Sequence, residues 1–353
     1  MTAVSARPCS GTWTTRTGWP RCSRGITRTG SANSTPDGGT QACRAAACQG
    51  ALQDDAMKIL LLGKNGQVGW ELQRSLLPLG EVVALDRAST PLCGDLLRPG
   101  ALAETVRALA PDVIVNAAAY TAVDKAESEP EAARTINAEA VGVLAREAQA
   151  LGAWLVHYST DYVFDGGGNQ PWQEDQATGP LSVYGQTKLE GEQQIAASGV
   201  KHLIFRTSWV YAARGGNFAK TMLRLAQERD KLAVIDDQWG APTGADLIAD
   251  VTAHALRTAM ASGEDLSGIY HLVAGGETTW NRYARFVLET ARKINPALNL
   301  TAQEVQAVDT SAFPTPARRP HNSRLNTHKL QQRFALDLPD WQTGVQRMLQ
   351  EIL

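Results

Sequence analysis

The fold is decided by residues 58–77, which read KILLLGKNGQVGWELQRSLL. The run 58–62 is apolar after its first residue and predicts a strand, and residues 68–77 mix apolar and polar positions as a helix does. Glycines stand at 63, 66 and 69. A strand, a glycine turn and a helix in this order let the backbone approach a pyrophosphate at the helix N-terminus. The segment therefore predicts the first unit of a dinucleotide-binding α/β fold.

The glycine turn supplies the first predicted cofactor-binding residues, which are Gly63, Gly66, Gln67, Val68 and Gly69. Their spacing is GxxGxxG and differs from the better-known GxGxxG fingerprint. Glycine is also common in strand-to-helix turns for conformational reasons alone. Taken by themselves, the glycines leave a purely structural turn open.

A second apolar run, 81–85, predicts the next strand and ends at Asp86. An acidic side chain at this point accepts hydrogen bonds from the adenosine ribose in dinucleotide-binding folds. Arg87 follows directly and has the charge to hold a 2′-phosphate instead. Both residues are predicted to contact the cofactor, and the choice between NADH and NADPH stays open. Asp95 and Leu96 are placed in the same cofactor-binding group.

Two later apolar runs predict strands whose carboxyl ends carry small and polar residues. Ligands of doubly wound sheets bind at such ends. Residues 112–116 lead into the predicted cofactor contacts Ala117, Ala118, Ala119, Tyr120 and Thr121, although tight packing would also explain the alanines. Residues 153–158 lead into Ser159, Thr160 and Asp161. Thr160 is predicted to stabilise charge on a substrate oxygen. A simple turn or N-cap cluster is the alternative.

Tyr184 and Lys188 are four residues apart, and on a helix this spacing places them on one face. A lysine ammonium beside a phenol favours the phenolate and lowers a pKa that starts near ~10. The tyrosine then becomes a usable acid or base near neutral pH. An isolated YxxxK match is more often a surface pair, but the upstream strands and glycines favour a nicotinamide enzyme that acts on a carbonyl carbon.

These residues resemble the extended branch of the short-chain dehydrogenase/reductase superfamily, and within it the dTDP-4-dehydrorhamnose reductase family. The resemblance runs from Met57 to the C-terminus. The motifs that carry it are residues 63–69 (GKNGQVG), 116–124 (NAAAYTAVD), 159–164 (STDYVF), 184–188 (YGQTK), 206–211 (RTSWVY) and 237–243 (DQWGAPT).

The resemblance implies a thymidine-diphosphate 4-keto-6-deoxy sugar as substrate, which NADPH or NADH reduces at C4 to dTDP-L-rhamnose. It implies that Tyr184 donates the proton, Lys188 holds the nicotinamide ribose and Thr160 polarises the keto oxygen. Asp161 and Trp209 are implied to touch the sugar. The resemblance also suggests a homodimer and allows a magnesium ion as an assembly aid.

Three rival functions are weighed against this one. Nucleotide-sugar 4,6-dehydratases are similar but carry a Thr-Asp-Glu triplet, whereas residues 160–162 here are Thr-Asp-Tyr, so elimination lacks its base. A nucleotide-sugar epimerase would keep the same tyrosine. A non-catalytic nucleotide-binding subunit, resembling the regulatory subunit of methionine adenosyltransferase, is disfavoured because Thr160, Tyr184, Lys188 and Trp209 are all present.

The sequence predicts an α/β protein with a Rossmann-type doubly wound parallel sheet and a smaller C-terminal α/β substrate-binding domain. The predicted NAD(P)-binding domain is 57–210, and 211–353 is mainly substrate-binding, with segments that return to the sheet. Phe218, Met222 and Leu225 recur at helical spacing and are predicted to be core. The proline-rich loop 313–323 presents two arginines. Arg319 is predicted to hold the substrate diphosphate, with a solvated basic loop as the alternative.

Composition excludes several function classes. The chain has 353 residues, is 43% hydrophobic and carries a formal net charge of -2, so it offers no basic field for nucleic acid. No apolar run approaches the ~20 residues of a membrane span. No CxxC or HExxH spacing indicates a metal site.

Residues 1–56 differ from the rest of the chain. They contain four of the five cysteines, no lysine and no apolar periodicity, so we expect a disordered extension that arises from an upstream start codon. A transit peptide, a disulfide module or a metal module is an alternative for this segment. With Cys93 the only cysteine after Met57, a cytoplasmic location is expected.

Overall fold

The fold is described for residues 56–353 by a computed structural model. The predictions for the N-terminal extension lie outside the described residues. In the described part of the chain the strands are β1 Lys58–Leu62, β2 Glu81–Leu85, β3 Val113–Asn116, β4 Trp154–Thr160, β5 His202–Thr207, β6 Val210–Tyr211, β7 Lys231–Ile235, β8 Trp239–Gly240, β9 Thr243–Gly244, β10 Gly268–His271, β11 Thr278–Thr279 and β12 Glu304–Val308.

The helices lie between these strands or after the last of them. They are α1 Gln67–Leu76, α2 Pro99–Leu109, α3 Val123–Ala126, α4 Pro130–Arg134, α5 Ala140–Leu151, α6 Val183–Ser198, α7 Phe218–Glu228, α8 Ala245–Ala261, α9 Trp280–Ile294, α10 His328–Phe334 and α11 Trp341–Ile352. A π-helical turn, Thr135–Glu139, joins α4 to α5, and a 3-10 turn, Asp161–Val163, follows β4. None of the described helices combines the length and apolarity that a bilayer span needs.

Six strands form one parallel sheet in the order β2-β1-β3-β4-β5-β10. The chain runs outward from β1 to β2 and then returns to the other side of β1 as β3, so the strand order reverses between β1 and β3. At this switch point Leu62 is paired with Asn116. Ligands of doubly wound sheets bind beyond the carboxyl ends of the strands at such a reversal. The predicted Rossmann-type fold is confirmed.

Alternation of side chains along β1 explains how both faces of the sheet are covered. Ile59 and Leu61 pack on one face with α1 and α8, and Leu60 and Leu62 pack on the other with α2 and α5. All four side chains are 0% exposed. Burying each of them contributes roughly 1.5–3 kcal/mol to folding. The apolar run that predicts β1 is therefore a strand buried on both sides, as parallel sheets require.

The C-terminal half adds a separate cluster of buried side chains. Met222 of α7 lies in it beside residues of α9 and α11, and Phe218 and Leu225 pack against it, as the helical spacing predicts. Strands β7 and β12 pair in parallel at the edge of this cluster. The later strand β10 pairs with β5 and extends the main sheet. All described residues belong to one compact unit, and the division at residue 210 stays a prediction.

Strand β4 is longer at its end than the sequence predicts. Ser159 and Thr160 are paired with Arg206 and Thr207 of β5, so they are the last residues of the strand and do not follow it. In a sequence, a change from apolar to polar residues indicates that a strand ends. Here β4 continues through two polar residues because the neighbouring strand β5 is long enough to pair with them. This pairing fixes the backbone of the residue predicted to polarise the substrate.

Candidate active site

The glycine turn after β1 packs directly against the turn after β3. Gly63 has φ +89°, which lies in the left-handed region that glycine tolerates. A Cβ at Gly63 would lie 2.8 Å from the backbone nitrogen of Ala118 and 2.9 Å from the carbonyl carbon of Ala117. The two predicted cofactor-binding segments therefore meet at the switch point, and only glycine allows the approach.

The N-terminus of α1 is open for an anion. Gly66 is its N-cap residue and has no side chain to satisfy the first backbone N–H groups. Gln67, Val68 and Gly69 form the first turn, and the Gln67 side chain accepts a hydrogen bond from Asn217 at 3.3 Å. A helix N-terminus that no side chain caps within residues 56–353, reached through a tightly packed glycine turn, fits the pyrophosphate of a dinucleotide.

The Asp86 carboxylate at the end of β2 is already engaged by its neighbours. It accepts hydrogen bonds from the Ser89 hydroxyl at 2.9 Å, from the Ala88 N–H at 3.0 Å and from the side-chain amide of Asn65. The hydrogen bond from Ser89 is the largest cause that lowers the pKa of Asp86. Lys64 lies 3.3 Å from the same Ser89 hydroxyl, and Arg87 is exposed.

Asp95 and Leu96 have local structural contacts. The Asp95 carboxylate accepts from the backbone N–H of Leu97 at 3.1 Å. Leu96 is 4% exposed and packs in the core on the face of the sheet covered by α2 and α5. Their predicted contact with a cofactor stays a prediction.

The loop after β3 is held by a residue that the sequence interpretation does not include. The Asn137 side chain accepts from the backbone N–H of Tyr120 at 2.9 Å and donates to the Tyr120 carbonyl at 3.2 Å. It also donates to the Thr187 hydroxyl on α6 at 3.2 Å. Asn137 thus fixes the segment from Ala117 to Thr121 relative to the helix that carries Tyr184 and Lys188. It lies in the π-helical turn, which no local sequence signal predicts.

Helix α6 begins at a point set by three contacts. The Ser182 hydroxyl caps it by accepting from the Gly185 N–H at 3.2 Å. The Glu127 carboxylate accepts from the Val183 N–H at 2.8 Å. Gly185 faces the backbone carbonyl of Tyr162 so closely that a Cβ there would collide with it. The first turn of α6 is therefore pressed against the turn after β4, and this contact brings Tyr184 next to Thr160.

Burial keeps the Tyr184 phenol protonated. It raises the pKa of Tyr184 to about 12, and the Thr160 hydroxyl acts in the opposite direction. The ring meets that of Tyr162 edge-on, with centroids 5.6 Å apart. The expectation that Lys188 lowers this pKa is wrong in this structure. The physical reason is that the Lys188 side chain is directed elsewhere.

Lys188 is 1% exposed, and its amine points towards β4. The Nζ atom donates to the Tyr158 carbonyl at 2.6 Å and lies 3.1 Å from His157 Nε2. Burial lowers the pKa of Lys188 to about 8, while the negative charge of Glu192 opposes the change. Burial, followed by the charge of Lys188, lowers the pKa of His157 far below its usual value.

Asp161 is a buried acid beside the predicted catalytic pair. Its Oδ1 atom accepts from the Thr160 hydroxyl at 3.1 Å, and its Oδ2 atom has no hydrogen-bond partner within residues 56–353. Burial raises the pKa of Asp161 to about 6. Thr160 and Asp161 are 5% and 2% exposed, so both belong to an enclosed polar site. The buried Ser159 hydroxyl also lacks a partner in this part of the chain.

Trp209 and Arg319, the other predicted substrate contacts, are held by different elements. Trp209 follows β5 with φ +50°, an uncommon conformation for a bulky residue, and its ring stacks on Trp280 with centroids 3.6 Å apart. Arg319 donates to the Asp124 carboxylate at 2.6 Å, and its buried Nε has no partner among the described residues. Strain and unpaired polar atoms are frequent where a ligand binds. The roles of both residues stay predictions.

A buried ion pair that the sequence does not reveal anchors α6 to the sheet. Arg206 of β5 donates to both carboxylate oxygens of Glu192, and both side chains are 3% exposed. Glu192 lies one helical turn beyond Lys188. Arg206 could be singled out from the sequence, because it belongs to a motif that carries the family resemblance. Its partner Glu192 is identified only by the structure.

No group of three or more His, Cys, Asp or Glu side chains in residues 56–353 is arranged to hold a metal ion. A magnesium ion therefore stays a prediction from resemblance.

The chain is similar to proteins of one family over almost all of the described residues. The family described as "RmlD substrate binding domain" matches residues 57–353. A dTDP-4-dehydrorhamnose reductase of Shigella flexneri is 63% identical over 296 residues, which are 84% of this chain and 98% of the relative. The dTDP-4-dehydrorhamnose reductase of Escherichia coli (strain K12) has the same identity and coverage.

Solved structures agree with these matches. A dTDP-4-dehydrorhamnose reductase of Clostridium acetobutylicum superposes with a TM-score of 0.75 at 34% identity, covering 84% of this chain and 99% of that one. A dTDP-4-dehydrorhamnose reductase of Bacillus anthracis in complex with NADP has the same TM-score and coverage at 32% identity. The chain therefore belongs to the dTDP-4-dehydrorhamnose reductase family.

Proposed function

We propose that this chain uses NADPH or NADH to reduce the C4 ketone of dTDP-4-dehydro-6-deoxy-L-mannose, which gives dTDP-L-rhamnose. The proposal is carried by the meeting of Thr160 and Tyr184 beside the switch point of the sheet. Relatives named dTDP-4-dehydrorhamnose reductase share 63% of the aligned residues. The bound NADP of the Bacillus anthracis relative supports a nicotinamide cofactor.

Different groups are proposed to supply the hydride, stabilise the developing charge and donate the proton. When bound, the nicotinamide cofactor supplies the hydride for the carbonyl carbon. The Thr160 hydroxyl, whose one hydrogen is donated to Asp161 in this structure, is proposed to turn to the keto oxygen and stabilise the charge that develops there. The Tyr184 phenol gives its proton to that oxygen, which suits a group whose pKa of about 12 keeps it protonated at neutral pH.

The remaining residues bind and orient the reactants. Lys188 is proposed to hold the nicotinamide ribose, and Gly63 and Gly66 leave room for the pyrophosphate. Asp161 and Trp209 are proposed to contact the sugar, and Arg319 the diphosphate. Tyr162 supports reduction and argues against elimination, because its phenol packs on Tyr184 where a dehydratase has a second carboxylic acid.

We further propose a homodimer that works in the cytoplasm. Cys93 is half-buried and forms no disulfide within residues 56–353, which is consistent with a reducing compartment. Size-exclusion chromatography with light scattering, with and without Mg²⁺, tests the dimer and the proposed effect of magnesium.

The function is tested with the purified chain, the dTDP-4-keto sugar and either NADPH or NADH. Loss of nicotinamide absorbance, together with dTDP-L-rhamnose identified by mass spectrometry and NMR, is the expected result. Cofactor binding without turnover would instead favour the non-catalytic regulatory subunit. Product with inverted ring carbons and no net cofactor oxidation would indicate an epimerase.

A further inference from the structure

His157 is a buried polar residue that the reduction chemistry does not use. It lies on β4, is 0% exposed and contacts two polar side chains through its two ring nitrogens. Nδ1 lies 3.2 Å from the Asn116 amide nitrogen, and Nε2 lies 3.1 Å from Lys188 Nζ. These contacts form a line from β3 through β4 to α6.

The orientation of the Asn116 amide is fixed by the backbone. Its Oδ1 atom accepts from the N–H of Ala118 at 3.2 Å, and a backbone N–H can only donate. The amide nitrogen must therefore face His157 and donate to Nδ1. A neutral imidazole that accepts at Nδ1 carries its hydrogen on Nε2.

The tautomer of His157 places a hydrogen in front of Lys188. An ammonium has three donors and no lone pair, so it cannot accept the Nε2–H bond. A neutral amine can accept it while it donates to the Tyr158 carbonyl, which is 2.6 Å away. Protonation of Lys188 would require the other tautomer. The Asn116 amide would then have to turn over and lose its bond to Ala118.

We propose that His157 is a positioning residue that holds the Lys188 amine at the carboxyl edge of the sheet and, through the tautomer set by Asn116, disfavours its ammonium form. The amine is also enclosed, at 1% exposed, and no carboxylate within residues 56–353 forms an ion pair with it. Glu192, the acid one helical turn beyond Lys188, is engaged by Arg206. The lowered pKa of Lys188 agrees in direction.

This inference deepens the proposed function, because it concerns the residue expected to hold the nicotinamide ribose. The titratable groups that act on that amine are His157 on β4, which contacts it, and Glu192 on α6, whose charge opposes the lowering of its pKa. Among them, His157 contacts the amine directly through a ring nitrogen. A change at His157 should therefore alter the pH at which Lys188 loses its proton.

The test measures the Kd of NADPH by fluorescence between pH 6.5 and 9.5, with no sugar present. For the unaltered chain we expect affinity to weaken as pH rises through the Lys188 pKa. In His157→Gln, an amide oxygen can accept from the ammonium and no tautomer links it to Asn116. One hydrogen bond is gained by the charged form, so the midpoint should rise by about half to one pH unit.

Asn116→Asp is a second variant that keeps the imidazole. A carboxylate accepts from Nδ1–H, which frees Nε2 to accept from the ammonium, so the midpoint should again rise. His202→Gln is the matched control, because His202 lies at the start of β5 with Nδ1 2.8 Å from the Val200 carbonyl. It should leave the midpoint unchanged.

If His157 only fills space, both site variants will change NADPH affinity by a constant factor at every pH, and this result would overturn the proposal. An upward shift in folded His157→Gln supports it, because this change adds no charge, whereas a downward shift in that variant overturns it. A shift in Asn116→Asp counts as support only together with the shift in His157→Gln, because a new carboxylate raises the pKa of a nearby ammonium by its charge alone. Turnover of the keto sugar by the unaltered chain is measured in parallel. If the midpoint shifts but the unaltered chain does not reduce the keto sugar, the proposed function is wrong and the role of His157 stands. If the chain reduces the sugar but the midpoint does not shift, only the role of His157 is wrong.

Discussion

At the scale of single residues, the proposed reaction depends on a phenol that keeps its proton until the substrate oxygen needs it. Tyr184→Phe removes that proton and keeps the ring that packs against Tyr162. Turnover should fall by roughly 10²–10⁴-fold, the usual loss when a general acid is removed. The Kd of NADPH should change little. Steady-state kinetics and fluorescence titration measure the two effects, and near-normal turnover would show that another group donates the proton.

The buried carboxyl group of Asp161 lowers the stability of the folded state, and replacing it should show by how much. A pKa raised from 3.8 to about 6 means that the unfolded chain releases this proton first as pH rises. The native state therefore loses stability between pH 4 and 6, by up to about 3 kcal/mol for a shift of two pKa units. Because Asp161 is 2% exposed, solvent screening does not reduce this figure much.

Asp161→Asn should therefore stabilise the chain at pH 7.5 by about 1–3 kcal/mol, and the gain should shrink towards pH 4. Urea denaturation at several pH values measures it. Asp165→Asn is the control, since that carboxylate is exposed and accepts from the Gly167 N–H. A gain of equal size at every pH would mean that ionisation of Asp161 is not the cause. Reductase turnover should fall in the stabilised variant.

Cofactor choice is predicted to depend on the charges around Asp86. Its carboxylate repels a 2′-phosphate, whereas Lys64 and Arg87 attract one. Asp86→Ala should raise the ratio of kcat/KM for NADPH over NADH by about tenfold, which corresponds to ~1.4 kcal/mol. Lys64→Met should move the ratio the other way. A ratio that stays constant in both variants would place the 2′-position of the ribose elsewhere.

At the scale of elements, helix α6 has to be fixed against the sheet because it carries both Tyr184 and Lys188. The Glu192–Arg206 pair does this from within the protein, and breaking a buried pair leaves one charge uncompensated. Glu192→Ala should lower the free energy of unfolding by about 3–5 kcal/mol. Glu190→Ala is the matched control on the same helix. Its partner Arg134 is 49% exposed, and such pairs contribute about 0–1 kcal/mol.

Chemical denaturation compares the two variants directly. Similar losses at Glu192 and Glu190 would indicate that the helix is held by its apolar contacts alone. A large loss at Glu192 should also lower turnover in the remaining folded protein, because the backbone of Tyr184 would be less well fixed.

The elements differ in how well sequence alone predicts them. Strand β1 and helix α1 follow from apolar runs and glycine positions, because their burial on both sides of the sheet dictates residue type locally. The π-helical turn that contains Asn137 does not, since its hydrogen bonds to Tyr120 and Thr187 join segments distant in the sequence. The same is true of His157, which reads as one more residue of a buried strand. Its role depends on Asn116 and Lys188, which lie on other elements.

At the scale of the whole molecule, the site needs elements from both halves of the chain. Gly63 and Ala118 meet at the switch point, and Tyr184 is placed by α6. The Arg319 loop reaches back to Asp124 just after the β3 turn. The sheet is completed by β10, which comes late in the sequence and pairs with β5. A change that separates the C-terminal segments from the sheet should therefore affect catalysis and folding together.

The working protein is expected to begin at Met57. The family match starts at residue 57, and strand β1 starts one residue later. A chain that begins at Met57 should keep the Tm, the Kd of NADPH and the reductase rate of the full chain within error. A chain that begins at Leu61 is the control. It lacks Ile59 and Leu60, which are both 0% exposed. It also lacks most of β1, the strand that pairs with both β2 and β3, so it should not fold. Calorimetry and cofactor titration compare the three proteins. If removal of residues 1–56 abolishes activity or lowers the Tm by many degrees, those residues belong to the functional unit, and the expectation of a dispensable extension is wrong.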